Sequence, residues 1–310
     1  MNQQPIAVAI VNYNTCALLR TCLASVAAER CAEVVVVDNA STDGSAGMVA
    51  AEFPAVRLQA NTDNPGFAAA VNQAVNACAA PFVLVLNSDT ELRPGALAAL
   101  ARYLGEQQRA GVVGPRLVNP DGTLQPSCFH FPTPLHLFLE LSNLSGALRL
   151  VPLVRRWYLR SWSHGHPRPV PWVLGAALAI RRIAFTQVGG FDESFFMYSE
   201  EVDFCYRLRQ RGWETHFAPQ ATVMHIGGAS TVQQRAAMTS RLFQSTLGFY
   251  RRHYGRGQLA RAKLLLSVGV GAKLMRDAIR LRWATGQAGR ERLAEDVAIW
   301  RKVLIDVRQS

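Results

Sequence analysis

No run of apolar residues in the sequence approaches the roughly 18 to 20 needed to cross a bilayer. The best candidate, LLLSVGVGA between Lys263 and Lys273, reaches about half of that, and a membrane-spanning segment is not expected. The 6 cysteines, Cys16, Cys22, Cys31, Cys78, Cys128 and Cys205, contain no C-x-x-C pair. A zinc ribbon and a small disulfide scaffold both lack their spacing, and a reducing compartment fits best. No basic leader with a following apolar run precedes Ile6, so MNQQPIAVAIVNYN reads as a lead into a strand, and the mature chain is expected to start there. No G-x-G-x-x-G follows that strand and no Walker A sequence is present, which removes the main support for a dinucleotide oxidoreductase or a P-loop NTPase. Internal repeats and low-complexity segments are absent as well. Acidic residues are scarce: Asp and Glu number 22 against 33 Lys and Arg, a net charge of +11. Most of the excess is local, since Arg251 to Ser310 holds 14 Lys and Arg against 5 Asp and Glu.

What the sequence does have is 310 residues, 49% hydrophobic, enough to bury one large α/β domain or two smaller ones. IAVAIV (6–11), VVVVD (34–38), VRLQ (56–59) and FVLVL (82–86) are read as strands. They are rich in Val, Ile and Leu without strict alternation, the form of strands covered on both faces by helices. Between them, CALLRTCLASVAAE, DGSAGMVAAEF and GFAAAVNQAVNACA repeat apolar residues near the helical period, so repeated βαβ units and a doubly wound, mostly parallel sheet are expected. PGALAALARYLGEQ predicts another helix with Pro94 near its start. GVVGPRLV returns to strand, NPDG (119–122) to a turn, and residues 129–171 to a Pro-, aromatic- and Arg-rich excursion. PWVLGAALAIRR reads as a buried strand, SEEVDFCYRLRQRGW as a short helix, THFAPQATVMHIGG as short strand segments, and the chain from Ser230 on as amphipathic helix.

In an open parallel sheet, ligands collect beyond the carboxyl ends of the strands. Three strands end there in polar clusters: Asn12-Tyr13-Asn14, Asp38-Asn39-Ala40-Ser41 and Asn87-Ser88-Asp89. Asp38 either accepts a ligand N–H or caps the following helix, a task that Ser41 or Thr42 can fill. Asp89 is either a turn residue or, because a second rim carboxylate would repel a diphosphate, a ligand to a divalent cation. Asn64-Pro65-Gly66-Phe67 is an ordinary turn or a place where glycine lets backbone and helix N–H groups approach an anion.

A second cluster is GGFDESFFMYSEEVDFCYRLRQRGW. Ser199 can cap a helix whose first turn holds Glu200, Glu201 and Asp203, where the macrodipole already favours carboxylates. Their crowding beside FFMY and an apolar stripe also raises carboxylate pKa values and suits a general base. His225 is a core histidine or a ligand.

In order, VNYN, VDNAS, NPGFAAAVN, LNSDT, GAALAIRR, GGFDESFFMYSEEVDFCYRLRQRGW and VMHIGGAS resemble the family 2 glycosyltransferases and, within them, the rhamnosyltransferase-like branch. The resemblance covers Val8 to Ser230 and returns at FYRRHYG (249–255). It implies a Rossmann-like GT-A fold with a mostly parallel central sheet: a catalytic domain over 1–230, an acceptor-side insertion at 129–171 and a basic amphipathic helical extension over 231–310. It further implies that Asn12, Tyr13, Asn14, Asp38, Asn39, Asn64, Gly66, Phe67, Asn72, Asn87 and Ser88 surround the nucleotide. Asp89, last acid of a D-x-D-like motif in which Asn87 replaces the Asp of some relatives, and His225 would hold Mg2+ or Mn2+. Glu201 falls where the family has the Asp of a Glu-Asp pair, the catalytic base, with Glu200 the alternative one residue away. Gly175, Asp203 and Trp213 would lie beside the donor or acceptor sugar.

The mechanism implied is a single inverting displacement from a dTDP- or UDP-linked sugar, dTDP-rhamnose favoured, to a glycan or polyprenyl-linked acceptor in surface-polysaccharide synthesis. The protein is expected in the cytoplasm at the inner face of the membrane. Between Phe249 and Arg282, an apolar set (Leu259, Leu264, Leu265, Leu266, Val268, Leu274, Ile279, Leu281) alternates with Lys and Arg. Such a face suits either an anionic membrane surface or packing on the catalytic domain or a second copy. A basic nucleic-acid-binding protein would leave the strand-end acids unexplained, and no such module is visible. The presence of Asp38, Asp89 and Glu201 argues against a non-catalytic carbohydrate-binding relative.

Overall fold

A computed structural model describes residues 5–135, 162–227 and 235–309. The chain divides into two units, one of Met1–Phe131, Leu159–Phe196 and Glu200–Val232, the other of Pro132–Tyr158, Met197–Ser199 and Gln233–Ser310. In the first unit the elements run β1 (Ile6–Asn12), α1 (Cys16–Ala27), β2 (Val34–Asp38), α2 (Ser45–Glu52), β3 (Arg57–Ala60), α3 (Phe67–Ala77), β4 (Phe82–Asn87), β5 (Thr90–Leu92), α4 (Ala96–Glu106) and β6 (Ala110–Val118). They continue with β7 (Leu124–Gln125), β8 (Cys128–Phe129), β9 (Arg168–Val170), β10 (Trp172–Val173), β11 (Ala177–Arg181), α5 (Arg182–Val188), α6 (Glu200–Gln210) and β12 (Glu214–His225). Most of the 129–171 excursion lies outside the described residues; its described ends supply β9 and the last residue of β8, and β10 follows it directly.

The main sheet has the order β3-β2-β1-β4-β11-β6-β12-β5, with β7 on β6 and β9 on β12. β3, β2, β1 and β4 are mutually parallel, as is the pair β6 and β12. The sheet is mixed because β11 is inserted antiparallel to both β4 and β6. All seven residues of β1 are buried. One face carries Val8, Ile10, Leu84 and Leu86 against α1 and α4, the other Ala7, Ala9, Val83 and Val85 against α3. Both faces being covered, these strands carry no polar alternation.

Three local readings change. Helix α4 starts at Ala96, and its N-cap is Gly95 at φ 80; Pro94 lies in the turn before, and glycine supplies the left-handed conformation. Ser199 precedes α6 at φ 66, with Tyr198 at φ 68, not in the extended conformation of a capping serine. Non-glycine residues adopt this region rarely, most often where function fixes the backbone. The segment read as short strands is one 12-residue strand, β12. Its register on β6 shifts between Ala218 and Thr222, around Pro219, which has no N–H to give the ladder.

The second unit contains α7 (Arg235–His253), α8 (Gly255–Trp283) and α9 (Gln287–Gln309). Phe243, Leu247 and Tyr250 of α7, Ala262, Leu266 and Val270 of α8, and Ile299, Val303 and Val307 of α9 form one core. Lys273 Nζ lies 3.9 Å from the Trp300 ring centroid, close enough for a cation–π contact. The apolar set read as one face is divided: Leu266 is buried and Leu259 packs against the core, whereas Leu264, Val268 and Ile279 are exposed. Among the described residues no helix is long and apolar enough to cross a membrane.

This division has a measurable consequence. Leu266→Ala should destabilise the helical unit by about 2–4 kcal/mol through lost burial and a cavity, while Leu264→Ala should stay within about 0.5 kcal/mol. Urea unfolding followed by circular dichroism reads the difference; equal losses would refute the assigned rotation of α8.

Candidate active site

The parallel register sets the strand ends side by side. Asn12 is the Cα partner of Asp38, and Val11 of Asn87, so β1, β2 and β4 deliver their polar residues to one rim. Asn12 Nδ2 donates to Asp38 Oδ1 at 2.6 Å, and Ser41 donates to the same carboxylate through Oγ (2.7 Å) and N (3.0 Å). Thr15 Oγ donates to Asn12 Oδ1 and meets Ser88 Oγ, both at 2.7 Å. Asp38 thus both anchors the turn after β2 and holds Asn12. Asn14 stands at φ 51 and accepts from Thr42 N at 2.8 Å. Tyr13 is half-buried on the same rim.

Behind this rim, Asn39 Nδ2 donates to Gly66 O at 3.2 Å and to Asn64 Oδ1 at 3.3 Å, and Gly66 N donates to Asn64 Oδ1 at 3.0 Å. Gly66 has φ 97, and a Cβ there would lie 2.6 Å from Phe196 O. The close approach at this glycine is made by the chain itself: Phe67 N donates to Phe196 O at 2.7 Å. Asn72 works in the same direction. Its Nδ2 donates to Phe191 O and Glu193 Oε1 (2.9 and 2.8 Å), and its Oδ1 accepts from Phe191 N at 2.8 Å. Asp203, fully buried, accepts from Arg207 Nε at 2.6 Å, and the same guanidinium donates to Val188 O and Gly190 O. Asn72 and Asp203 therefore brace the loop that leads into α6, and Phe196 pins that loop to the start of α3.

At the start of α6, Glu200 and Glu201 are both buried, and each has an Oε2 without a hydrogen-bond partner. Burial, followed by the charge of Glu201, pushes the Glu200 carboxyl well above the ordinary range. Burial also raises Glu201, but backbone N–H groups including those of Gly175 and Val202 bond to its carboxylate and offset part of the cost. Both carboxyls are therefore held above the ordinary range, and the N–H groups around Glu201 are placed to support its anionic form. A Cβ at Gly175 would lie 3.6 Å from Glu201 Cδ. The next residue, Ala176, accepts from Asn87 N at 3.0 Å, so Gly175-Ala176 joins the carboxylate pair to the Asn87-Ser88-Asp89 corner. Asn87 Oδ1 is buried and also has no partner.

Asp89 lies between β4 and β5. Its Oδ2 accepts from Gly227 N at 3.2 Å, and its Oδ1 is 3.4 Å from His225 Nε2 at the end of β12. His225 Nδ1 is 2.7 Å from Gln125 Oε1. With the amide oxygen so placed, Nδ1 is the donor, and Nε2 is the ring nitrogen turned towards a carboxylate oxygen. With Nε2 unprotonated, the pair would present two acceptors of the kind that suits a divalent cation. Among the described residues no cluster of three or more His, Cys, Asp or Glu gathers; Asp89 and His225 are the two such side chains that meet at this corner. Gln125 and Thr15 escaped the sequence reading: Gln125 follows an NPDG turn that signals only a turn, and Thr15 reads as the residue before a helix. Trp213 is placed apart. It precedes β12, whose far end carries His225, and its Nε1 donates to Gln187 Oε1 at 2.8 Å.

The chain belongs to a family described as Glycosyltransferase like family 2, which matches residues 3–260; it is a glycosyltransferase. It is 34% identical over 251 residues to the N-acetylglucosaminyl-diphospho-decaprenol L-rhamnosyltransferase of Mycobacterium tuberculosis, covering 74% of this chain and 78% of that one. Over 56 residues, 18% of this chain and 21% of the other, it is 38% identical to the rhamnosyltransferase WbbL of Escherichia coli. Among solved structures it resembles the mannosyltransferase PcManGT of Pyrobaculum calidifontis in complex with GDP-Man and Mn2+, with a TM-score of 0.57 and 18% identity over 100% of this chain and 87% of that one. That likeness shows the GT-A fold expected from the sequence.

The raised carboxyls predict a pH effect. In both, folding favours the protonated form, so their stabilising contribution is full below the ordinary value of 4.5 and is lost as pH rises through the folded values. The parent should therefore lose stability relative to Glu200→Gln, by several degrees in Tm, as pH is raised from about 5 to 8. Parallel Tm profiles would show that the pair is not strained by charge.

Proposed function

We propose that the chain transfers rhamnose, with inversion, from dTDP-rhamnose to a polyprenyl-diphosphate-linked sugar in the assembly of a bacterial surface polysaccharide. The observation that carries the reaction type is the juxtaposition, through Gly175-Ala176, of the buried Glu200–Glu201 pair with the Asn87-Ser88-Asp89 corner facing His225. The donor and acceptor rest on the likeness to the mycobacterial rhamnosyltransferase, whose printed substrate is a decaprenol-linked sugar. UDP-linked donors would use the same rim.

Asn12, Asp38 and the backbone around Asn64-Gly66 frame the nucleoside, with Asn39, Tyr13 and Asn14 bordering it. Asp89 and His225 hold the divalent cation, Mg2+ or Mn2+, which when bound neutralises charge growing on the diphosphate oxygens of the leaving group. Asn87 Oδ1, buried and unpartnered, is left to accept from a donor hydroxyl. Glu201, whose anionic form is supported by N–H groups, takes the proton from the acceptor hydroxyl as that oxygen attacks the anomeric carbon from the face opposite the diphosphate. Glu200 remains protonated beside it, so the two buried carboxyls need not both ionise. Gly175 brings its N–H to Glu201.

Two variants separate these roles. Asp89→Ala should abolish turnover and weaken Mn2+-dependent binding of the nucleoside diphosphate, as isothermal titration with and without EDTA would show; full activity would sink the cation assignment. Glu201→Gln should keep donor binding and lower kcat by about 10²-fold or more. If Glu200→Gln is the inactive one while Glu201→Gln turns over normally, the base is the neighbouring residue.

A further inference from the structure

Packing within its own unit leaves one face of α8 unexplained. Leu264, Val268, Met275 and Ile279 are 65%, 52%, 66% and 53% exposed. At 100° per residue their directions fall within about 60° of one another, and at 1.5 Å per residue the strip runs about 22 Å along the axis. Gly271 and Ala272 fill the gap between them, so no charged side chain interrupts the face from Leu264 to Ile279. Exposed Arg261 and Arg282 stand at its two ends on the same side, and Trp283, 81% exposed, borders the C-terminal end. The helix as a whole carries 7 Lys and Arg against 1 acid, Asp277, which is buried and bonded to Arg276 Nε at 3.0 Å.

We propose that this face of α8 is a docking surface for an anionic lipid bilayer. An uninterrupted apolar strip with cations at its ends and flanks matches the boundary between acyl chains and acidic headgroups, and a tryptophan at one end fits the same interface. Each cation near an anionic surface adds to the attraction. A second copy of the chain fits less well. Antiparallel pairing of the strip with itself sets Arg261 of one copy beside Arg282 of the other, and parallel pairing sets each cation beside its twin, so either dimer gathers like charges around a dry seam. The proposal stands independently of the donor and acceptor chosen above.

The test is flotation of the whole chain with vesicles of phosphatidylcholine alone and of phosphatidylcholine with phosphatidylglycerol. Binding should require phosphatidylglycerol and weaken as salt screens the charges. The triple variant Val268→Ser, Met275→Ser, Ile279→Ser should bind about tenfold or more weakly, with circular dichroism and thermal unfolding unchanged because all three side chains are exposed. The pair Arg261→Gln, Arg282→Gln should weaken binding and flatten its salt dependence. The proposal is overturned if the chain ignores anionic vesicles at low salt, or if the triple variant floats as well as the parent. It is overturned equally if sedimentation shows a dimer that the triple variant dissociates while neither protein floats; the occupant is then a second copy.

Discussion

The register of β1 against its two parallel neighbours is the constraint on which the site depends. Pairing Asn12 with Asp38 and Val11 with Asn87 ends three strands at the same height, and the chain must turn there in each case. Turns need polar residues to satisfy backbone groups that leave the ladder. The rim is therefore polar for structural reasons before any ligand is considered, and Asp38 shows both demands at once: it holds Ser41 N and also Asn12 Nδ2. A slip of one residue in β1 would turn every buried Val and Ile to the other face of the sheet. The hydrophobic core thus fixes the geometry of the rim.

The acids of α6 come from far along the chain and reach this rim by separate contacts. Asn72 on α3 grips Phe191, Arg207 on α6 grips Gly190 and Val188, and Phe196 closes on Gly66. These bonds surround a loop whose exit passes through left-handed Tyr198 and Ser199. Such backbone persists only where its surroundings enforce it. What it achieves is the burial of two adjacent carboxyls, Glu200 and Glu201, with Gly175 supplying an N–H to only one of them. Two neighbouring acids are thereby held in unlike surroundings, and burial raises the carboxyls of both.

The parts of this fold with strong local signals were legible from sequence. Apolar runs without alternation gave β1, β2 and β4, and the polar clusters at their ends gave the rim. The antiparallel insertion of β11 was not legible, because GAALAIRR reads as buried strand whichever way it runs. THFAPQATVMHIGG was read as short strand segments, whereas it forms one strand with a register shift around Pro219. Gln125 was missed because its role is to orient another residue, and such contacts leave no spacing in the sequence. Asn72 and Asp203 were visible as polar residues in the right motifs, yet the bonds they make to Phe191 and Arg207 depend on which side of a buried helix they occupy.

Helix α8 shows why periodicity alone could not settle the tail. Its apolar residues fall on two faces, one of Ala262, Leu266 and Val270 turned to the core of the helical unit and one of Leu264, Val268, Met275 and Ile279 turned outward. Two apolar faces at different angles partly cancel as a periodic signal. A listing of leucines and arginines then looks like one amphipathic helix with a single apolar side, and the two explanations for that side, packing or lipid, look like rivals. With the helix rotation known, they cease to compete: the inward face accounts for the stability of the unit, and the outward face, bounded by Arg261 and Arg282, takes no part in that packing.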